Sequence, residues 1–322
     1  MRVFVTGGSG FLGSAVVRRL VERDVEVEAL ARSAEAAATL TRLGARPVRG
    51  GVTDSDALHV AMRGADAVYH VAGMYRIGIK EAEHEAMFQA NVDGTTLVLD
   101  AAVAAAVPRI VCVSTVGVFG NTHGKVVDET YQRPDRAFVS YYDATKYMAH
   151  GIAVARAAAG APLVIVQPGA VYGPGDHSEI GAQIEQVRRG RYKVKMFPGL
   201  GITMSHVDDV AEGTVLAAEK GRVGEAYILG GEVTRLGTVL DRVADLTGTR
   251  RPRVTVPSLA IRAVVPLGRV VGPLVGVGPN LREAVHASDR VTYWAASGKA
   301  ERELGYRPRD LEQGLRDLLA SA

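Results

Sequence analysis

The stretch VTGGSGFLGSAV at residues 5–16 sets the tightest limit on what this chain can fold into. An apolar run (RVFVT, 2–6) leads straight into Gly7, Gly10 and Gly13, and a helix-spaced apolar pattern (FLGSAVVRRLVER, 11–23) follows at once. Glycine accepts positive φ and lets the backbone approach a ligand closely. A helix that starts there presents unpaired amides, and the positive end of its dipole, to a pyrophosphate. Strand, glycine turn and helix in this order predict the opening unit of a dinucleotide-binding fold, with Ser9, Phe11 and Leu12 inside the same turn. Gly8, Gly10 and Gly13 also satisfy G-x-G-x-x-G, so the pattern alone does not choose a subfamily.

The alternation continues. VEVEALAR (25–32), ARPVRGGV (45–52), DAVYHVAG (66–73), RIVCVSTVG (109–117), PLVIVQPG (162–169) and AYILG (226–230) read as strands. Between them, 34–44, 55–64, one long helix over roughly 84–106, 139–159 and 206–221 read as helices. This pattern predicts an α/β protein with a doubly wound parallel sheet, which places a ligand outside the carboxyl ends of the strands. From about 232 onward the chain reads as mostly helical. The expected division is a dinucleotide-binding domain of 1–169 with 206–231, and a smaller substrate domain of 170–205 with 232–322.

Composition narrows the function. A net charge of +3 with no Lys/Arg-rich block speaks against nucleic acid as partner. The single cysteine, Cys112, excludes an internal disulfide framework and suits a reducing cytoplasm. No uninterrupted apolar stretch is long enough for an integral membrane segment, and the opening strand does not read as a signal peptide. No metal site is expected. His206, Asp208 and Asp209 resemble ligands, but Asp at a helix start satisfies free amides and suits the dipole.

Where an acidic residue would bond a ribose hydroxyl at the end of the second strand, the chain has Ala31-Arg32-Ser33. Arg32 favours NADP(H) through charge-assisted bonds to a 2′-phosphate, with NAD(H) as the alternative. In SYYDATKYMAH (140–150), Tyr142 and Lys146 stand four apart on a predicted helix and share a face. An ammonium and an oxidised nicotinamide near a phenol both favour phenolate, so Tyr142 can exchange a proton with a hydroxyl oxygen. Thr115, at the carboxyl end of a central strand, is placed to hold that oxygen.

TGGSGFLG, VYHVAG (68–73), NVDGT (91–95), STVGVFG (114–120), YDATK (142–146), QPGAVYGPGD (167–176), HVDDVA (206–211) and KAERELGYRP (299–308) occur in one order over nearly the whole chain. In these segments the chain resembles the extended short-chain dehydrogenase/reductases of the NAD(P)-dependent epimerase/dehydratase superfamily. The resemblance implies that Tyr142 is the general acid/base, that Lys146 tunes it and holds the ribose, and that Thr115 is the oxyanion-side hydroxyl. It also implies that Val71, Ala72 and Gly73 line the cofactor, that Pro168, Gly169 and Val171 flank the nicotinamide, and that Asn91 steadies the neighbouring strand. A homodimer through the helices near 84–106 and 139–159 is expected on the same ground.

Departures from that pattern narrow the activity. Dehydratases of the family resemble Thr-Asp-Glu where this chain has Thr115-Val116-Gly117, so the carboxylates for eliminating water are missing. Ala170 replaces the Asn typical of nucleotide-sugar epimerases, and Ile202-Thr203-Met204-Ser205 replaces their Arg-Asp-Phe-like run. Gly51, in RGGVTD (49–54), stands where an Asp would contact adenine. What remains resembles the branch of dihydroflavonol reductases, 3β-hydroxysteroid dehydrogenases and hopanoid-associated epimerase-like proteins. The expected activity is NADP(H)-dependent interconversion of a ketone and a secondary alcohol on an apolar small molecule. A sugar-nucleotide epimerase and a non-catalytic dinucleotide-binding regulator are the alternatives. Tyr75, Phe119 and Trp294, with Tyr293, are candidate substrate contacts, and the apolar segment 256–278 is a candidate pocket wall.

Overall fold

The computed structural model describes residues 1–252, 254–255 and 281–321. The 256–278 segment lies outside the described residues.

β1 (Arg2–Thr6), β2 (Glu26–Ala31), β3 (Arg46–Arg49), β4 (Ala67–His70), β5 (Ile110–Val113), β6 (Leu163–Pro168) and β10 (Ala226–Leu229) form a seven-stranded sheet. Its order is β10-β6-β5-β4-β1-β2-β3, and every pairing is parallel. Strand alternation divides the core. Val3, Val5, Val111, Val113, Val164 and Val166 face α1 (Phe11–Val21) and α8 (Val207–Lys220). Phe4, Ile110, Cys112, Leu163 and Ile165 face α3 (Ser55–Met62), α5 (Gly94–Ala104) and α6 (Tyr141–Ala158) on the other side. Strands buried on both faces read as continuous apolar runs, which is why they are visible in the sequence. Local signals start the helices. Ser33 Oγ accepts from Ala36 N at the head of α2 (Ala34–Arg42), Asp54 caps α3, and Ser140 Oγ accepts from Asp143 N to cap α6.

The expected long helix over 84–106 is interrupted. α4 (His84–Phe88) and α5 are joined by a π-turn over Gln89–Asp93. The wider turn leaves carbonyls without regular partners, and Thr95 and Thr96 hydroxyls donate to Asn91 O (2.6 Å) and Val92 O (2.9 Å). Strand β5 also ends sooner than the sequence pattern suggests, because Thr115 caps a 3-10 turn over Val116–Phe119.

The later segments include α7 (Glu179–Arg188), α9 (Leu236–Thr247), α10 (Leu281–Ser288) and α12 (Leu311–Ala320). They also contain a small sheet that the helical reading omits: β7 (Ala170–Tyr172), β9 (Gly201–His206), β11 (Glu232–Arg235) and β13 (Thr292–Tyr293), with β9 pairing the other three. A separate pair joins β8 (Val194–Lys195) to β12 (Val254–Thr255). α11 (Gly298–Leu304) packs onto the main sheet's layer, where Ala300, Leu304 and Tyr306 join the α1–α8 core. No helix among the described residues is long and apolar enough to cross a membrane.

Candidate active site

β1 and β4 are neighbours, and the chain leaves them to opposite sides of the sheet, so a crevice opens beyond Thr6 and His70. Gly7 sits there with φ +75°, and a Cβ on it would lie 2.6 Å from Ala72 N. A Cβ on Gly13 would lie 1.9 Å from Gly7 O, so α1 meets the turn backbone to backbone. Gly10 N donates to Gly7 O (3.0 Å), and Gly10 caps α1 without a side-chain bond. The first-turn amides of Phe11, Leu12 and Gly13 therefore have no intrahelical acceptor, and no acidic side chain occupies that turn. Ser9 lies half-buried in the turn, and Phe11, Leu12, Val71 and Val171 each pack against the α1–α8 core. Gly169 follows Pro168 at the end of β6, and a Cβ there would lie 2.2 Å from Thr203 O. This uncapped, acid-free helix start beside close-packed backbone fits a pyrophosphate.

One hydrogen-bonded chain ties this end of the sheet to α6. Thr95 donates to Asn91 O, so it accepts from His70 Nε2–H (3.0 Å), which leaves His70 Nδ1 to accept from the Thr6 hydroxyl (2.8 Å). Burial, helped by the Lys146 charge, pushes His70 down to about 3, so this neutral tautomer persists at ordinary pH. Asn91 then donates to Thr145 Oγ1 (3.0 Å), and Thr145 donates to Tyr142 O (2.9 Å).

Tyr142 and Lys146 share one face of α6. Thr115, whose side-chain oxygen accepts from Gly117 N (3.1 Å), acts on the phenol from the head of the 3-10 turn. Burial and the Asp143 carboxylate raise the Tyr142 phenol well above its ordinary value, and Thr115 acts in the opposite sense. Lys146 Nζ donates to Val113 O (3.3 Å) and lies 3.8 Å from where a Gly73 side chain would begin. Burial lowers the Lys146 ammonium. The structure thus brings Tyr142, Lys146, Thr115 and Gly73 to one end of the sheet.

Tyr75 is 47% exposed and stands edge-on to the Tyr142 ring, centroids 4.9 Å apart. Phe119 is buried among Val116, Val118, Ile228 and Ala295, with its edge on Tyr131. Trp294 donates its indole N–H to Thr234 O (2.9 Å) and lies under Arg235. Neither makes a ring contact with Tyr142 among the described residues. Arg32 is exposed at the end of β2, its stem 4.0 Å from where a Gly51 side chain would begin. In the HVDD segment, His206 Nδ1 accepts from Asp208 N (3.3 Å) at the head of α8, and Asp209 is held by Arg309. Among the described residues no group of acidic, His and Cys side chains could hold a metal.

Sequence reasoning missed Arg133. Its side chain is 4% exposed and forks onto Asp143, 7% exposed, at 2.7 and 2.9 Å. Asp143 was legible as an acid in the first turn of a capped helix. Arg133 lies in a loop, and nothing local marks it.

The family model described as the NAD dependent epimerase/dehydratase family matches residues 3–230. The chain belongs to that family. Its members use NAD(P), and the chain's curated relatives include reductases. It is 36% identical to the 4-hydroxy-2-methyl-3-oxo-4-farnesyl-3,4-dihydroquinoline-1-oxide ketoreductase of Stigmatella aurantiaca, over 100% of this chain and 96% of the relative. It is 30% identical to the 2-alkyl-3-oxoalkanoate reductase of Stenotrophomonas maltophilia, over 100% and 99%. Among solved structures, that of gox2253 matches with TM-score 0.84 and 31% identity, covering 99% of this chain and 97% of the other. This epimerase/dehydratase-family chain is an NAD(P)-dependent oxidoreductase of the extended short-chain type.

Proposed function

We propose that the protein is an NADP(H)-dependent oxidoreductase that interconverts a ketone and a secondary alcohol on a mainly apolar small molecule. The observation that carries this is that Tyr142 and Lys146 share one face of α6, with Gly73 beside the Lys146 ammonium and Thr115 acting on the phenol. A bound nicotinamide supplies the hydride, or takes it up. Tyr142, held as a neutral phenol, donates its proton to the oxygen that gains charge in reduction and retrieves it in oxidation. Thr115 orients that oxygen, and the Lys146 ammonium stabilises the phenolate left behind. The first-turn amides of α1 bind the pyrophosphate.

Arg32, exposed beside Gly51, supports a 2′-phosphate partner. The farnesyl and alkyl groups in the relatives' names support an apolar substrate, with Tyr75 as its aromatic contact. Exposed Val103, Met148 and Val154 on α5 and α6 support a homodimer, and the single buried cysteine supports a cytoplasmic setting.

A panel of apolar ketones, followed by nicotinamide absorbance with NADPH and NADH side by side, tests the reading. Steady NADPH consumption that Tyr142→Phe abolishes, with coenzyme binding retained, is expected. A tightly held coenzyme with no net absorbance change on a nucleotide sugar points to an epimerase. Binding without turnover of any carbonyl points to a regulator.

A further inference from the structure

We propose that the corner of the molecule where α7 and α9 end is a docking surface for an anionic lipid bilayer. Docking there is independent of the reaction at Tyr142.

Two short basic runs, far apart in sequence, meet at this corner. RRGRYKVK (188–195) closes α7 and runs into β8, and TRR (249–251) follows α9. Thr249 Oγ1 donates to Val187 O (3.1 Å), and β8 pairs in parallel with β12, Val194 beside Val254 and Lys195 beside Thr255. Residues 185–195 and 241–252 hold eight of the chain's 38 Lys/Arg but only three of its 35 Asp/Glu, so the remainder of the chain carries an excess of acids. Those three acids are already engaged: Glu185 with Arg188 and Arg189, Asp241 with Lys195, and Asp245 with Arg251. Arg191, Lys193 and Arg250 are exposed and have no ion-pair partner among the described residues. Cations at a helix C-terminus gain from its dipole, which accounts for Arg188 in the last turn of α7. That effect fades within one turn and does not account for Lys193.

The surroundings of this surplus charge favour a bilayer. Val254, 58% exposed, pairs beside Val194, which stands between Lys193 and Lys195. Cations around an exposed aliphatic side chain suit the headgroup–acyl boundary, where ammonium and guanidinium groups meet phosphates and the apolar group sits deeper. In sequence, Thr255 leads into the apolar residues 256–278, which contain no Asp or Glu. Single-stranded nucleic acid is bound through exposed rings that stack on bases. Tyr192, the ring within the first run, is half-buried and donates its hydroxyl to Gln183 Oε1 (2.6 Å). An anionic membrane surface carries a negative potential, and each Lys or Arg held near it strengthens binding about fivefold. Arg191, Lys193 and Arg250 together are worth about a hundredfold on that scale.

The test is co-sedimentation of the full-length protein with vesicles of phosphatidylcholine alone, or of phosphatidylcholine mixed with phosphatidylglycerol, at low and high salt. The wild type is expected to bind the mixed vesicles only, and less as salt rises. R191Q/K193Q/R250Q is expected to bind them about a hundredfold more weakly, and Val254→Ser to show a smaller loss. Both variants are expected to keep the wild-type thermal midpoint and coenzyme affinity, which separates lost docking from a damaged fold. Absence of binding to mixed vesicles, equal binding to neutral ones, or undiminished binding by the triple variant overturns the proposal. Tighter binding to duplex or single-stranded DNA than to the mixed vesicles at the same salt also overturns it, and assigns the corner to nucleic acid.

Discussion

Asn91 holds both backbone groups of Met74: its Oδ1 accepts from Met74 N at 2.7 Å and its Nδ2 donates to Met74 O at 3.0 Å. Met74 follows Gly73, which lies beside Lys146, and the same Nδ2 donates to Thr145 on α6. One side chain on the π-turn thus registers the loop after β4 against α6. Asn91→Leu leaves several buried polar groups unpaired, each costing about 1–3 kcal/mol. The expected outcome is a clearly lower urea midpoint together with weaker coenzyme binding, whereas Asn91→Ser gives a milder version of both. Equilibrium unfolding and coenzyme titration check it, and unchanged coenzyme affinity in a destabilised Asn91→Leu would confine the residue to the core.

Gly13 tests the turn itself. A methyl group there would overlap Gly7 O, a backbone atom that cannot swing aside, so α1 must move away from the turn. Overpacking of this kind costs about 1–3 kcal/mol. Gly13→Ala is expected to stay folded, because the α1–α8 core lies further along the helix, and to lose at least about tenfold in coenzyme affinity, or about 1.4 kcal/mol. Gly151→Ala, on α6 where a Cβ meets nothing within 4 Å, is the control and is expected to bind like wild type. Calorimetric titration with coenzyme separates the two.

Much of this arrangement was legible because it is local. The glycine turn, the buried strands and the Tyr142–Lys146 spacing each lie within a few residues, and strand and helix periods express them directly. What escaped depends on distant partners. β11 is EVTR and β13 is TY, too short and too polar to signal a strand, and they exist because β9 pairs with both. Arg133 reaches Asp143 across ten positions of loop, and Glu283 accepts from Tyr141 N (2.7 Å) across 142. The π-turn escaped because a periodicity reading assumes one uninterrupted helical pitch through Asn91.

Two histidines, His70 buried and His150 half-buried, give stability a signed pH dependence. Burial, with the Lys146 charge, lowers His70 to about 3 and His150 to about 4. Both folded values lie below the ordinary histidine value of about 6.5, so below that pH the unfolded chain binds more protons. The stability they contribute is complete above about pH 6.5 and is lost as pH falls toward 4 and then 3. At about pH 5 each histidine costs roughly 2 kcal/mol relative to neutral pH. Urea midpoints at about pH 7 and pH 5 should fall accordingly, and replacing His150 by Asn should remove part of the slope. A midpoint that is flat over this range contradicts the neutral-imidazole network through Thr6, His70 and Thr95.

On the NADP(H) reading, coenzyme choice comes down to Arg32 and the position beside it. The Arg32 stem passes 4.0 Å from the point where a Gly51 side chain would begin, and among the described residues only Arg32 comes that close to it. On the NADP(H) reading that guanidinium pairs with the 2′-phosphate, so Arg32→Ala removes a charge-assisted contact that NADH never makes. Gly51→Asp acts by another route. The new carboxylate draws Arg32 into an ion pair and repels the phosphate, while an Asp can still bond the free hydroxyls of NADH. Both variants are therefore expected to weaken NADPH binding by about tenfold or more. Only Gly51→Asp is expected also to hold or improve NADH binding, which reverses the preference. Dissociation constants for both coenzymes, at low and high salt, decide it. On that reading the wild type favours NADPH by a margin that shrinks as salt screens the exposed arginine, and equal losses of NADPH and NADH in Arg32→Ala would remove Arg32 from the site.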